Sequence, residues 1–422
     1  MKQSMLIFVI GILLPFMVAA QTPRMTMTTN LEIGKKITLK IEVEEADFEG
    51  VVVKGGKFDR RSFILESQTI VIEGKVKNLF CQFGGLTSLD VSGNPDLTVL
   101  DCSNNELTKL DVSKNIHLTK LICNRNKLSK LNVSNNKEMA FLSCDQNNIK
   151  SLDVSKNNLL TSLTCSFNQL KKLDMSGNAE LDYLYCSNNR LTDLNISSCG
   201  KLTKLICVEN KLGKLDLSHN HSLIMANCNN NKLSALDFSG NENLTTLDCG
   251  MNPLQSLNIS KNQILKQFSC KDSGLKMIDV SQNDSLAYLD CSGNLLTGLE
   301  LSHLEKLNYL DCSNNSLSDI DLNLNKSIKY VALSGNEFSA CAIDNVFRQL
   351  PEKSTEPGRI VLKDGDISLP GTFGCREYIA TAKNWQVQSI YHEPCGDPAH
   401  GDFHYHYIPQ PIDNTGIYAC SE

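Results

Sequence analysis

The chain has 422 residues, of which 21% are charged, and its formal net charge is −6. This acidic balance does not favour a nucleic-acid partner, because phosphate backbones are bound by clustered lysine and arginine. The length alone suggests two or three domains, but a sequence repeat that runs through most of the chain argues for one elongated unit instead.

The first predicted element is a signal peptide over residues 1–20. Lys2 supplies a positive charge, Met5–Met17 is almost wholly apolar, and Val18–Ala20 offers small residues for cleavage. The apolar run is short for a bilayer span, and no second run of that kind follows. The sequence therefore predicts an exported protein, secreted or at the cell surface, with no transmembrane span in the mature chain. An N-terminal membrane anchor is the alternative.

Residues 21–75 are predicted to form a β-rich N-terminal cap. The runs Ile37–Val43, Val51–Val53 and Thr69–Ile72 alternate or are β-branched, as strands require. The first turn of a solenoid exposes a core face and an open sheet edge, and a cap would cover both. A separate binding domain is the alternative for this segment.

A 21-residue repeat fills residues 76–338. A leucine stands five residues before a recurring cysteine in nearly every unit, and an asparagine stands three residues after it, with Ser273 as an exception. One unit reads LxxLxCxxNxLxxLxVSxNxx, and a fixed period near 20 is typical of a solenoid. The recurring cysteines form the cysteine ladder: Cys81, Cys102, Cys123, Cys144, Cys165, Cys186, Cys207, Cys228, Cys249, Cys270, Cys291 and Cys312.

The spacing within the unit predicts which side chains are buried. Alternate residues of a strand face the same way, so Leu100 and Cys102 should point inward, as should Leu110 and Val112 in the second half of the unit. Stacked turns bury these positions in continuous ladders, and inward asparagines can bond the backbone of the bends. The repeat thus predicts a β-rich leucine-rich-repeat solenoid of 12–13 turns, with parallel strands on both flanks and a cap at each end.

The ladder cysteines are predicted to be buried thiols rather than a chain of disulfides. Parallel Cβ vectors in register place neighbouring sulfurs poorly for the near-right-angle disulfide torsion. Cys199 lies outside the ladder, at a bend position where neighbouring turns have Asn178 and Asn220. It is either a drifted bend residue or an exposed thiol.

Residues 339–388 are predicted to form a C-terminal cap. Ala342–Leu350 has the pattern of a short amphipathic helix that ends before Pro351. Ile360–Leu362 and Trp385–Val387 have the composition of closing strands.

The last segment, residues 389–422, is a tail rich in cysteine and histidine. Four cysteines outside the ladder are possible disulfide partners: Cys341 with Cys375 in the cap, and Cys395 with Cys420 in the tail. Dense histidine can also bind a transition metal, but a tail without a second matching pair is weak evidence, so we predict no metal site. The weak candidate ligands are His392, His404 and His406.

Large side chains recur on the predicted exposed side of the cysteine-bearing strands. Apolar or aromatic groups that point to water usually mark a partner surface. Tyr288, Tyr309 and Tyr330 would form a ladder on three successive turns, a platform for protein or sugar. The alternative is stacking that only stabilises the sheet. The predicted partner-binding residues are Phe141, Tyr183, Tyr185, Tyr288, Tyr309 and Tyr330.

An acidic stripe marks the other flank of the solenoid. Like charges about 4.8 Å apart repel, so we expect pairing with Lys109, Lys172 and Lys214, which lie two residues before stripe positions. A line of cation sites is the less favoured alternative, because such sites need more convergent oxygens. The stripe comprises Asp90, Asp111, Asp153, Asp174, Asp216, Asp237, Asp279, Glu300 and Asp321.

The repeat L-x-x-L-x-C-x-x-N-x-L with its 21-residue period resembles cysteine-ladder leucine-rich-repeat proteins of the internalin J type and related internalin-like surface proteins of Bacteroidetes. The resemblance covers about residues 76–338. It implies a secreted or surface-exposed adhesin-like protein, with roles such as host-cell attachment or biofilm formation.

No catalytic constellation is present: the sequence has no GxSxG, P-loop, HExxH or CxxC motif. We therefore predict a protein without enzymatic activity or cofactor, which binds a protein on another cell or in a matrix. A carbohydrate-binding module, which would use the same tyrosines, is one alternative. A structural spacer without a specific ligand is another.

Overall fold

A computed structural model describes residues 22–43, 51–59, 62–364, 367–368, 375–395 and 404–411. The predicted signal peptide, residues 1–20, lies outside the described residues, and so does Cys420. Among the described residues, seven strands precede the repeat: β1 Arg24–Thr29, β2 Lys36–Ile37, β3 Lys40–Glu42, β4 Val52–Lys54, β5 Gly56–Asp59, β6 Ser62–Leu65 and β7 Thr69–Glu73.

The repeat forms a stack of turns in which equivalent strands pair in parallel. The offset between partners is 21 residues: Leu100 lies opposite Leu121, and Leu121 lies opposite Leu142. The strands of the repeat are β8 Asn78–Phe80, β9 Leu86–Gly93, β10 Val99–Asp101, β11 Lys120–Ile122, β12 Phe141–Ser143, β13 Ser162–Thr164, β14 Lys172–Asp174, β15 Tyr183–Tyr185, β16 Asp193–Asn195, β17 Lys204–Ile206, β18 Met225–Asn227, β19 Thr246–Asp248, β20 Gln267–Ser269, β21 Tyr288–Asp290, β22 Tyr309–Asp311 and β23 Tyr330–Ala332.

The predicted solenoid is confirmed, with about a dozen turns around one continuous core. Leu100, Cys102 and Val112 are fully buried, and Leu110 is 7% exposed. On the second flank, the strand hydrogen-bond pattern joins β14 to β16. On the same flank, β9 pairs with β1 of the N-terminal segment. The remaining turns of the second flank have no strand pairing among the described residues, so this flank is less regular than the first.

Two asparagine ladders satisfy the backbone of the two bends, as predicted. In the first bend, Asn105 donates from Nδ2 to the carbonyls of Cys81 and Cys102, and its Oδ1 accepts from the backbone N–H of Leu86 at 2.9 Å. In the second bend, Asn115 donates to the carbonyls of Val91 and Asn94. These bonds tie each turn to the preceding one, because buried carbonyls would otherwise stay unpaired.

The N-terminal strands cover the first turn on both flanks. β3 pairs antiparallel with β8, and β1 pairs antiparallel with both β9 and β7. The three strands predicted here correspond to β2 with β3, to β4 and to β7, whereas β1, β5 and β6 were not predicted. The sequence did contain a signal that predicts strand β1: Met25 and Met27, which are both buried, alternate with threonine.

At the C-terminal end, helix α1 spans Ala340–Gln349, and the Ser339 side chain caps it by accepting from the backbone N–H of Ala342. Trp385 is buried, and its indole N–H donates to the carbonyl of Pro351 at 2.8 Å. The remaining elements are β24 Gly358–Asp364, β25 Ile367–Ser368, α2 Tyr378–Thr381, β26 Trp385–Cys395 and β27 His404–Pro411. β24 and β26 extend the main sheet in parallel, as predicted closing strands should.

The cysteines behave largely as the sequence predicts. All twelve ladder members are buried thiols, and burial raises their pKa; for Cys207 the value reaches about 12. Cys199 is also fully buried, with its Sγ 3.5 Å from the carbonyl oxygen of Asn178. It therefore replaces a bend asparagine, and the alternative of an exposed thiol is wrong.

Of the four possible disulfide partners, the structure describes the side chains of Cys341 and Cys375, and the bond between Cys395 and Cys420 stays a prediction. Cys341 is disulfide-bonded, whereas Cys375 is a buried thiol, so the predicted bond between these two residues is wrong. Arg376 instead connects this segment to helix α1, because its Nε and its backbone N–H both donate to the buried Asp344 carboxylate at 2.6 Å.

Candidate partner-binding face

The solvent-facing side of the cysteine-bearing strands is the candidate site, and we call it the strand face. Each strand is three residues long, with its central side chain buried and its first and last side chains outward, as in Tyr183–Tyr185. All six predicted partner-binding residues lie on this face. Tyr183 is 37% exposed, and the others are half-buried: Phe141, Tyr185, Tyr288, Tyr309 and Tyr330.

Three of these aromatics form a stack along the solenoid axis. The ring centroids of Tyr288 and Tyr309 are 4.4 Å apart with an interplanar angle of 11°, and those of Tyr309 and Tyr330 are 4.5 Å apart at 6°. These separations match the spacing of neighbouring strands. Each ring therefore covers the face of the next, and the middle ring presents its edge to solvent.

Burial within the stack raises the pKa of the phenols. The pKa of Tyr288 rises to about 12, chiefly through burial and secondarily through the nearby Asp290 carboxylate. The pKa of Tyr309 is raised by the same causes, with Asp311 as the neighbouring carboxylate. The stack is thus a neutral group of hydroxyl-bearing rings at physiological pH.

Lysines cover two of the other three aromatic residues of the predicted set, Phe141 and Tyr183. The Lys120 ammonium lies 4.9 Å from the ring centroid of Phe141, and the Lys204 ammonium lies 5.3 Å from that of Tyr183. In both pairs, the lysine occupies the equivalent position of a neighbouring turn. Both contacts are within the usual cation–π range, so these ring faces already have partners inside the molecule.

A row of carboxylates lies beside the tyrosine stack, and sequence reasoning missed it. Asp248, Asp290 and Asp311 each precede a ladder cysteine and are therefore outward. Oδ1 of Asp290 accepts from the backbone N–H and hydroxyl of Ser292, and Oδ1 of Asp311 accepts likewise from Ser313. The recurring Asp-Cys pairs in the sequence were the available signal.

A hollow of about 340 Å³ opens on the strand face between the acidic row and the first tyrosine of the stack. Leu247 and Phe268, inward residues of their strands, contribute to its lining. Its remaining lining is polar except for one ring: Asn227, Thr246, Asp248, Gln267, Ser269, Lys271, Tyr288 and Asp290.

The acidic stripe on the second flank is neither lysine-paired nor arranged as a metal site. Oδ1 of Asp111 accepts from the backbone N–H of Ser113 at 2.9 Å, and other stripe members repeat this turn. These hydrogen bonds lower the pKa of Asp111. Within the described part of the chain, no salt bridge joins the stripe to Lys109, Lys172 or Lys214, and no three His, Cys, Asp or Glu side chains cluster for a metal.

The weak metal candidates lie on the terminal hairpin. The backbone pairing of β26 and β27 sets His392 opposite Tyr407, Glu393 opposite His406, and Cys395 opposite His404. The side chains of these residues lie outside the described part of the structure, so the expectation that they hold no metal stays a prediction.

Comparisons with known proteins agree with the repeat fold. A leucine-rich-repeat family model matches residues 180–202. The functional domain of InlJ from Listeria monocytogenes, which includes a cysteine ladder, is similar with a TM-score of 0.60 and 29% identity, over 77% of this chain and 76% of that one. No curated protein matches the chain.

Two further bacterial structures share the fold. A leucine-rich-repeat protein of Leptospira interrogans has a TM-score of 0.55 and 21% identity, over 64% of this chain and 81% of that one. YopM, a leucine-rich effector protein from Yersinia pestis, has a TM-score of 0.52 and 26% identity, over 62% of this chain and 72% of that one. No helix among the described residues is long and apolar enough to cross a bilayer. The chain folds as a leucine-rich-repeat solenoid, and this solenoid is similar to that of InlJ.

Proposed function

We propose that the protein is an exported binding scaffold whose strand face attaches to a protein on another cell or in a matrix. The observation that carries this proposal is the tyrosine stack beside the acidic row, both half-exposed on one regular face. Tyrosine is enriched at protein-binding surfaces, and the neighbouring aspartates add charge that favours a partner of complementary charge. The fold and the comparisons contain nothing that points to catalysis.

The geometry favours a protein partner over a sugar. Sugars stack on open aromatic faces, but within the stack the faces of Tyr309 are covered by Tyr288 on one side and Tyr330 on the other. A stacked row presents edges and hydroxyl groups, which suit hydrogen bonds and packing against protein side chains. The adhesin-like role, in host-cell attachment or biofilm formation, is part of this proposal.

The test measures binding of the purified, fluorescently labelled protein to cultured host cells, to extracellular-matrix proteins and to a glycan array. Replacing Tyr288, Tyr309 and Tyr330 together by Ala should weaken attachment to cells or matrix by at least about tenfold. Replacing all three by Phe keeps the stack and isolates the contribution of the hydroxyl groups.

The matched control truncates three exposed apolar side chains on the bends, Ile116, Leu159 and Ile264, to Ala. This control should bind like the wild type. Unchanged attachment of a folded triple-tyrosine variant would contradict the choice of the strand face. Binding confined to the glycan array would show that the sugar-binding alternative is right, and no binding to any surface would favour the spacer.

A further inference from the structure

One face of the Tyr288 ring is not covered by another tyrosine of the stack. Tyr309 covers one side of this ring, and the opposite side is turned toward Gln267, its register partner on the preceding strand. Gln267 is exposed, and both residues line the hollow. The first ring of the stack therefore forms one wall of the hollow.

At equivalent positions of two other turns, the face of an aromatic ring contacts a lysine side chain. Phe141 and Tyr183 occupy the same place in their turns as Tyr288, three residues before a ladder cysteine, and each has a lysine from a neighbouring turn over its ring. At Tyr288 the corresponding neighbours are Gln267 and Tyr309, which carry no charge. Among the described residues, no cation lies over the outer face of Tyr288.

The hollow also supplies negative charge on both sides of the place where a cation would lie. Asp248 and Asp290 are the equivalent residues of strands two turns apart, with Ser269 between them. Two turns separate the backbones by about 9.6 Å. A planar guanidinium with a charge-assisted hydrogen bond on each side spans roughly 8 Å, so it can bridge the two carboxylates across the small serine.

Lys271 is the one cation among the residues that line the hollow, and it does not cancel this charge. Its side-chain stem lies against Gly250, where an added Cβ would come within 3.0 Å of its Cγ. Among the described residues it forms no salt bridge with Asp248 or Asp290. The lining therefore keeps a net negative charge.

We propose that this hollow binds an arginine side chain of the partner protein, with the guanidinium between Asp248 and Asp290 and its plane against the outer face of Tyr288. Arginine fits better than lysine, because a planar fork can bond two carboxylates and stack on a ring at once. The proposal rests on the proposed function and adds to it the chemistry that the partner must present.

The test uses a fluorescein-labelled peptide of alternating glycine and arginine, with matched peptides in which citrulline or lysine replaces arginine. Fluorescence anisotropy at low salt should show that the full-length protein binds the arginine peptide at least about tenfold more tightly than the citrulline peptide, which has the same shape without the charge. The lysine peptide should bind with intermediate affinity.

Asp248→Asn with Asp290→Asn should remove at least about nine-tenths of the affinity for arginine, and Tyr288→Leu should reduce it several-fold. The matched control is Asp101→Asn. Asp101 accepts from Ser103 as Asp290 accepts from Ser292, on the same face, but it has no tyrosine ring beside it. This variant should bind within about twofold of the wild type.

Equal losses in Asp101→Asn and in the double variant would mean diffuse attraction to an acidic protein and would overturn the site. Equal affinity for the arginine and lysine peptides, or no binding by the wild type, would also overturn it. The proposed function fails separately: it falls if the triple-tyrosine variant still attaches to cells, whatever the peptides do. If that variant loses attachment while the peptides do not bind, only the arginine site is wrong.

Discussion

Asparagine has a different role in each of the two bends of a turn. In the first bend, Asn147 uses both ends of its amide: Nδ2 donates to the carbonyls of Cys123 and Cys144, and Oδ1 accepts from the N–H of Leu128 at 2.9 Å. In the second bend, Asn157 only donates, and its Oδ1 has no partner. A thiol can take over a role that needs only a donor, which explains why Cys199 is accommodated there.

This difference predicts unequal costs of substitution. Asn147→Ala leaves buried groups on two turns unpaired and should lower the free energy of unfolding by about 2–4 kcal/mol. Asn157→Cys reproduces the arrangement at Cys199 and should cost less than about 1 kcal/mol. Urea unfolding followed by circular dichroism measures both. Similar losses in the two variants would contradict the distinction between the bends.

The exception at Ser273 shows how the first bend adjusts when its asparagine is missing. In the preceding turn, the N–H of Leu233 donates to the side chain of Asn252. One turn later the corresponding N–H, that of Leu254, donates to the backbone carbonyl of Asn252 at 2.7 Å instead. The serine hydroxyl donates to the carbonyl of Lys271, so its own hydroxyl group is satisfied.

The buried thiols predict how stability depends on pH. Burial raises the pKa of Cys207 from 9.0 to about 12, so the folded protein keeps a proton that the unfolded chain releases. The stability that this thiol contributes is therefore fully present below about pH 9 and is lost as pH rises toward 12, by about 1.4 kcal/mol per pH unit.

Cys207→Ala should make the unfolding midpoint fall less steeply between pH 9 and about 11 than it falls in the wild type. Thermal melts at several pH values measure this slope. Ser162→Ala removes no ionisable group and should keep the slope of the wild type. A slope that Cys207→Ala leaves unchanged would mean that the thiol is accessible to water.

At the scale of the element, a strand of three residues is held by one inward side chain and by its neighbours in the stack. Leu163 is fully buried and lies in register between Leu142 and Leu184. The adjacent Ser162 lies on the strand face and is half-buried. Neighbouring positions of one strand thus differ sharply in what they tolerate.

Leu163→Asp places an unpaired charge in the leucine ladder and should lower the free energy of unfolding by more than about 3 kcal/mol. Ser162→Asp introduces the same charge on the strand face and should cost less than about 1 kcal/mol. Differential scanning calorimetry distinguishes the two. A melting temperature that barely moves in the leucine variant would show that Leu163 is not inward.

The turn after each cysteine also constrains the strand face. The residue two places after the ladder cysteine adopts a left-handed backbone in turn after turn, with φ of 56° at Asn104, 54° at Phe167 and 66° at Gly293. Asparagine and glycine tolerate this region, whereas phenylalanine does so at a cost of about 1 kcal/mol or more. The chain leaves the strand face sharply at this point, which keeps the face three residues wide.

For the whole molecule, the repeat carried most of the information that the sequence held about the fold. Period and alternation were enough to predict the buried positions of Leu100 and Cys102, because stacking copies the same environment in every turn. Residues outside the repeat lack that redundancy. The pairing of β1 with β9 depends on contacts between distant segments, and so does whether Cys375 forms a disulfide bond. A local sequence pattern does not specify such contacts.

The candidate site was predictable only in part, for a similar reason. Alternation placed Tyr288, Tyr309 and Tyr330 outward, but whether the rings stack or lie open depends on side-chain packing between turns. The hollow arises where small Ser269 lies between Asp248 and Asp290 in the stack. That relation joins residues 21 positions apart and becomes apparent only when the turns are aligned as a surface.

The strand face is the surface by which we propose that the protein attaches to its partner. A bulky label tests this proposal without altering the tyrosines. Because the ladder thiols are buried, a new cysteine at Gln267 on the strand face, or at Ser151 on the second flank, can be modified with a maleimide-linked polyethylene glycol under native conditions. Wild-type protein treated with the same reagent sets the baseline.

Attachment to cells or matrix should fall by at least about tenfold when Gln267→Cys is labelled, because the polymer shields the hollow and the stack. Labelled Ser151→Cys should attach within about twofold of the treated wild type. The opposite pattern, with attachment lost on the second flank and kept on the strand face, would contradict the account.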